Sequence, residues 1–176
     1  MKLMKRYRFF LVTIGLLGLI TILERDLGVK ALGIVGFSFR EMLFVIPPVF
    51  ILLGLLDIWV PREMMMKYMG EDSGMKGTIL AIILGSAAAG PLYGAFPVAA
   101  VFMRKGVKFG NILIFIGAWS TTKIPMFLFE LSALGMPFAL TRLAVNIPGI
   151  ILIAYLLSLM IPQEEVKEIY EKAESL

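Results

Sequence analysis

Apolar residues dominate five long runs of this chain, at residues 9–23, 42–60, 78–103, 111–129 and 137–161, and charges gather in the short connections between them. Runs of this length and purity predict helices that cross a bilayer, so the expected fold is an all-α integral membrane protein with about five transmembrane helices. The first run is short: fifteen residues reach only about 22 Å at roughly 1.5 Å each, and Tyr7 with the snorkelling side chains of Lys5, Arg6 and Arg8 would complete the span. Residues 21–24 offer no small-x-small cleavage pattern, so this run reads as a retained anchor rather than a signal peptide. Its Gly15 and Gly18 are compatible with close helix packing. Between the first two runs, the apolar piece 31–39 is too brief to span and is expected to be interfacial or re-entrant.

The third run is unlike the others because residues 90–97 interrupt it. Pro91 and Pro97 lack an N–H, and their rings would clash with the carbonyls of Ala87 and Tyr93, so a straight helix through both is not expected. Gly90 and Gly94 flank the first proline. In lipid, irregular backbone survives only where it is packed in protein or lines a wet cavity, and broken helices of this kind commonly build transporter sites near the midplane. A second helical half starting near Pro97 would present the N–H groups of Gly94, Ala95 and Phe96 to that cavity. The small residues from Gly85 to Gly94 would also let another backbone approach closely.

Polar residues inside the remaining runs are the other candidates. In the fourth, Pro125 frees the carbonyl of Thr121 for compensation by neighbouring hydroxyls, and Lys123 either faces a cavity or snorkels, with Glu130 two turns on. Arg142 and Asn146 lie four apart on one face of the fifth. Asp57 sits one turn from the end of the second run, a hydrated edge carboxylate or a relay group. Met64, Met65, Met66, Met69 and Met75 crowd the connection at residues 61–77; they read as flexible apolar fillers of an interfacial segment, with a Cu(I) relay as the alternative. Residues 1–162 therefore form one transmembrane domain, and 163–176 a charged, solvated surface helix. The chain has no cysteine and no histidine, which removes disulfides, thiolate chemistry and the usual zinc or haem ligands, and no cofactor is expected. The net charge of +4 sits in the connections and suits anionic lipid headgroups; without an aromatic-interleaved basic patch, nucleic acid is not an expected partner.

The stretch GPLYGAFPVAAVFMRKGVKFGNILIFIGAWSTTKIPM, residues 90–126, resembles the repeat motif of the predicted permeases that include the organoarsenical efflux permeases. That motif runs from a Gly/Pro-rich break through an apolar half-helix and a short Gly-containing basic turn into another span, and the resemblance covers roughly residues 78–160. Typical members carry two such repeats; one copy is found here. Efflux members carry cysteine at or near the break, where this chain has Tyr93 to Phe96, so thiol-based recognition of arsenic does not carry over. The resemblance implies a half-size permease in the cell (inner or plasma) membrane, with a second copy supplying the second repeat.

With five crossings, the two faces carry eight Lys and Arg each, which gives no positive-inside bias. An odd number of crossings without bias is the pattern of a dual-topology chain forming an antiparallel homodimer; if residues 31–39 or the broken third run form a re-entrant pair, the count becomes even and a parallel dimer is expected. The expected function is transport of a small polar or anionic solute, lined by Gly90, Pro91, Tyr93, Gly94, Pro97, Thr121, Thr122, Lys123, Arg142 and Asn146, with Asp57 and Glu130 as the candidates for proton carriage. The competing readings are a non-transporting membrane scaffold and an intramembrane hydrolase using Ser120 or Ser86 with Lys123. No oxyanion motif accompanies those serines, and an enzyme is not expected.

Overall fold

The structure, a computed structural model, describes residues 7–88 and 90–174. The side chain of Asp57 and the snorkelling Lys5 and Arg6 lie outside the described residues. The chain divides into two compact units, Met1–Pro48 and Val49–Leu176.

The first unit holds helix α1 (Arg8–Leu23) and the start of α2 (Arg25–Trp59). Glu24 leaves helical geometry (φ −135°, ψ 83°) and separates them. The two helices meet where Gly28 packs against Thr21, whereas Gly15 and Gly18 face open space, so close packing falls on a different glycine from those the sequence points to. Large apolar side chains along α1 and the first half of α2 are exposed, as a lipid-facing surface requires. The expected separate helix at 31–39 does not form. Nothing between Arg25 and Pro47 stops helix propagation, and Pro47 and Pro48 remove backbone hydrogen bonds without ending α2.

The second unit continues with α3 (Arg62–Met69), a 3-10 turn (Glu71–Ser73), α4 (Gly74–Ala87), a second 3-10 turn (Leu92–Gly94), α5 (Ala95–Arg104), α6 (Phe109–Thr121), α7 (Ile124–Ala133), α8 (Met136–Met160) and α9 (Gln163–Glu174). Helices α4 and α6 run side by side in the same direction. Gly77 lies against Asn111, Gly85 against Phe115 and Ala118, and Ser86 against Thr122. Helix α5 runs the other way. It leaves the break at residue 95 and ends where Lys105 Nζ donates to the Val60 carbonyl (2.7 Å) and the Lys108 N–H to the Met69 carbonyl (2.9 Å), beside the start of α4. The sequence allows either one interrupted crossing or a re-entrant pair over 78–103; the chain reverses at the interruption, and α4 and α5 form a hairpin. A tight knot closes its open end. Asn111 Nδ2 donates to the Met69 carbonyl (2.8 Å) and to Ser73 Oγ (3.1 Å), and Ser73 Oγ donates to the Gly70 carbonyl (2.6 Å).

Two helical stretches among the described residues are long and apolar enough to cross a membrane: Phe109–Ala133, which contains α6 and α7, and Met136–Met160. Helix α8 returns along α6 and α7, with Ile150 against Gly117 and Ser158 near Gly110. The largest fully buried side chains, Phe102, Phe115, Met69, Ile112 and Val107, fill the space between the open end of the hairpin and its tip. The methionines divide between environments: Met65 and Met69 belong to this core, whereas Met64, Met66 and Met75 are exposed. The tail helix α9 is docked rather than merely solvated. Ala173 is buried, and Tyr170 Oη donates to the Val107 carbonyl (2.6 Å) on the turn after α5. Burial, and secondarily the Glu71 carboxylate, push the Tyr170 phenol above its ordinary range, so it remains a neutral donor at physiological pH.

Gly85 is the tightest α4–α6 contact that backbone atoms make rigid: an added Cβ would lie 2.5 Å from the Phe115 carbonyl oxygen and 2.7 Å from Ala118 Cβ. Gly85→Ala is therefore expected to cost about 1–3 kcal/mol. Gly149 in α8 has nothing within 4 Å, so Gly149→Ala should hold or raise stability through helix propensity. Thermal unfolding in detergent checks the pair, and equal melting temperatures for the two variants would refute this packing.

Candidate functional site

The site is built where two interrupted stretches touch. On one side the α4 helix stops at Ala87 because Ala88 turns extended (ψ 139°), Gly90 takes φ 102°, and Pro91 is extended (ψ 160°). Only glycine adopts that φ without strain, so position 90 fixes the reversal as much as either proline does. On the other side α6 stops at Thr121; Thr122 (φ −118°, ψ 25°) and Lys123 (φ −56°, ψ 135°) are non-helical, and Pro125 near the start of α7 tolerates the missing N–H.

Side chains at and just before the second interruption satisfy the backbone of the first. Lys123 Nζ donates to the Gly90 carbonyl, and Trp119 Nε1 donates to the same oxygen (3.3 Å). Ser86 Oγ and Thr122 Oγ1 share a hydrogen bond of 2.8 Å. Trp119 is itself held by an aromatic series, Phe102 on Phe115 (ring centroids 4.9 Å) and Phe115 edge-on to Trp119 (5.6 Å), which links α5 through α6 to the tip. Carbonyl-terminated ends of α4 and α6 and amide-terminated ends of α5 and α7 thus lie together, with the Lys123 ammonium among them.

Beside this junction is a cavity of about 10 Å³, enough for roughly one water, lined by Thr121, Thr122, Phe127, Glu130, Arg142 and Asn146 among others. Glu130 is 5% exposed and forms an ion pair with Arg142 across α7 and α8. A larger apolar groove of about 300 Å³, between α4, α6 and α8, opens near the hairpin mouth and includes Thr78, Lys108, Asn111 and Tyr155.

Of the residues singled out in the sequence, Thr121, Thr122, Arg142 and Asn146 meet at the small cavity, and Gly90 meets Lys123 next to it. Tyr93 is exposed, while Pro91 and Pro97 are half-buried in the hairpin and Gly94 is buried there. The N–H groups of Gly94 and Ala95 are not presented to the cavity: they close the 3-10 turn onto the carbonyls of Pro91 and Leu92. The threonine hydroxyls compensate Gly117 and Ala118 rather than the Thr121 carbonyl named from the proline. Trp119 is a site residue that spacing did not reveal. Lys123 is committed to Gly90 and Ser86 to Thr122, an arrangement unlike a Ser/Lys catalytic pair.

A family model described as a predicted permease matches residues 30–175. The chain belongs to this family. No curated protein and no solved structure matches it significantly. The match covers the hairpin, both interruptions and α8 of the permease, and it assigns the chain to membrane transport at the level of class.

The ion pair gives a direct energetic test. Arg142→Leu leaves a buried carboxylate without its partner and is expected to cost about 3–5 kcal/mol. The double variant Glu130→Leu with Arg142→Leu should recover most of that loss, measured by thermal unfolding in detergent. Additive losses would mean the two side chains do not meet.

Proposed function

We propose that this permease moves a small polar or anionic solute across the cell (inner or plasma) membrane as a multi-pass homodimer, in the direction of efflux. The hairpin tip and the Thr121 to Lys123 interruption of each copy contribute to a shared translocation site. The observation that carries the reading is the convergence of Lys123 and Trp119 on the Gly90 carbonyl, beside a polar cavity in otherwise apolar helices. An ammonium at that depth is expensive unless it serves a partner or a solute. With Arg142 neutralised by Glu130, Lys123 leaves the junction with a positive bias, which favours an anion or a strongly polar ligand. The cavity is of water size, so a solute enters only when the junction opens. Lys123 is then the group that exchanges the Gly90 carbonyl for the solute.

Purified permease is challenged with inorganic phosphate, arsenate and small carboxylates while its melting temperature is followed. A ligand at 100 times its Kd adds about 2.7 kcal/mol. One of these anions is expected to stabilise the wild type with saturation, and Lys123→Met should abolish that response. Indifference to every anion and to a panel of neutral polar solutes would favour the scaffold reading instead.

A further inference from the structure

The hairpin changes how the charges of the chain must be counted. Both outer ends of the α4 and α5 hairpin lie at one face of the second unit: Val60 and Met69 meet Lys105 and Lys108 there, and Tyr170 of the tail meets Val107. Helix α4, at 14 residues, is about 21 Å long, and the parallel α6, at 13, about 20 Å. The tip therefore stops level with the α6 and α7 interruption, while α7 continues for ten more residues to the opposite face. The hairpin enters and leaves on one side. A through-going third crossing would have put the α5 to α6 turn and the tail on the other side.

Every connection at the hairpin mouth carries Lys or Arg, the residues whose distribution sets orientation. Between Arg62 and Lys172 that face carries eight Lys and Arg, including Arg104, Lys105 and Lys108 on a single turn, whereas the turn at residues 134–135 on the far side has none. Lys123 and Arg142, the remaining two cations of the unit, are held inside by Gly90 and Glu130. Within the second unit the balance between the two faces is then eight against none, in place of the even count that five crossings give. A bias of that size orients a chain.

We propose that α4 and α5 are a re-entrant hairpin, and that the permease inserts in a single orientation with the hairpin mouth, the α5 to α6 turn and α9 against the anionic cytoplasmic leaflet. The buried core of Phe102, Phe115, Met69, Ile112 and Val107 lies between that leaflet and the tip and seals the cytoplasmic side in this conformation. Two copies then associate in parallel, and the antiparallel dimer loses both of its supports, the odd number of crossings and the even charge. The inference rests on reading the chain as a permease, but its test reads topology alone and is independent of any solute response.

The chain lacks cysteine, so single-cysteine variants report sidedness cleanly. Asp72→Cys, Lys108→Cys, Glu165→Cys and Leu134→Cys are exposed to a membrane-impermeant maleimide on intact cells and after lysis. The first three are expected to label only after lysis, and Leu134→Cys on intact cells. Lys76→Cys and Arg104→Cys repeat the test on each arm of the hairpin should a variant fail to accumulate. Opposite sidedness of positions 72 and 108 would overturn the re-entrant hairpin. Half-labelling from outside at every position would overturn the single orientation, and full reversal would overturn its direction.

Discussion

One constraint governs the second unit: a backbone carbonyl released by a helix break in an apolar medium must find a donor. Gly90 releases such a carbonyl at the point where α4 gives way to α5, and the indole of Trp119 and the ammonium of Lys123 supply the donors. Lys123 lies in the second interruption and Trp119 in the last turn of helix before it, so the first break is tolerable because the second lies beside it. The rest of the unit holds them in register. Gly85 lets α4 lie on α6, Asn111 ties the far end of the same pair, and the ladder of Phe102, Phe115 and Trp119 ties α5 to α6.

The helical, membrane-type character was legible because it depends on composition and run length, which a sequence states directly. An interruption was also legible, since two prolines and two glycines in an apolar run leave little choice, although helix gives way already at Ala88 and resumes at Ala95, which puts Pro97 in the first turn of α5. Its direction was not. Whether a chain crosses or reverses at a break is decided by contacts such as Lys105 with Val60 and Lys108 with Met69, which join residues tens of positions apart. The same limit hid Trp119: its role depends on Gly90, 29 residues earlier in the chain. Spacing pairs Arg142 with Asn146 on one helix and sets Glu130 two turns from Lys123, but the ion pair joins Arg142 to Glu130 across two helices. The tail is the charged, largely exposed helix that its composition indicates, and what composition does not show is the contact that docks it, from Tyr170 to Val107.

Function follows from how these parts share charge. The family assignment gives transport, and the structure adds a junction in which one cation, Lys123, is satisfied by a single backbone oxygen while the other, Arg142, is matched by a carboxylate. The proposed solute exchange rests on this contrast: a backbone carbonyl competes weakly with an anion for the Lys123 ammonium, whereas the Glu130 carboxylate competes strongly for Arg142.

The central claim is that the two interruptions meet, and the hydroxyls of Ser86 and Thr122, 2.8 Å apart, offer the most direct measurement. Cysteines at both positions, in a chain that has no others, are oxidised in the membrane and the remaining thiols counted by maleimide–polyethylene glycol gel shift. The account predicts an intramolecular disulfide that removes both thiols from labelling. Two free thiols after oxidation, in a protein that otherwise melts like the wild type, would contradict it.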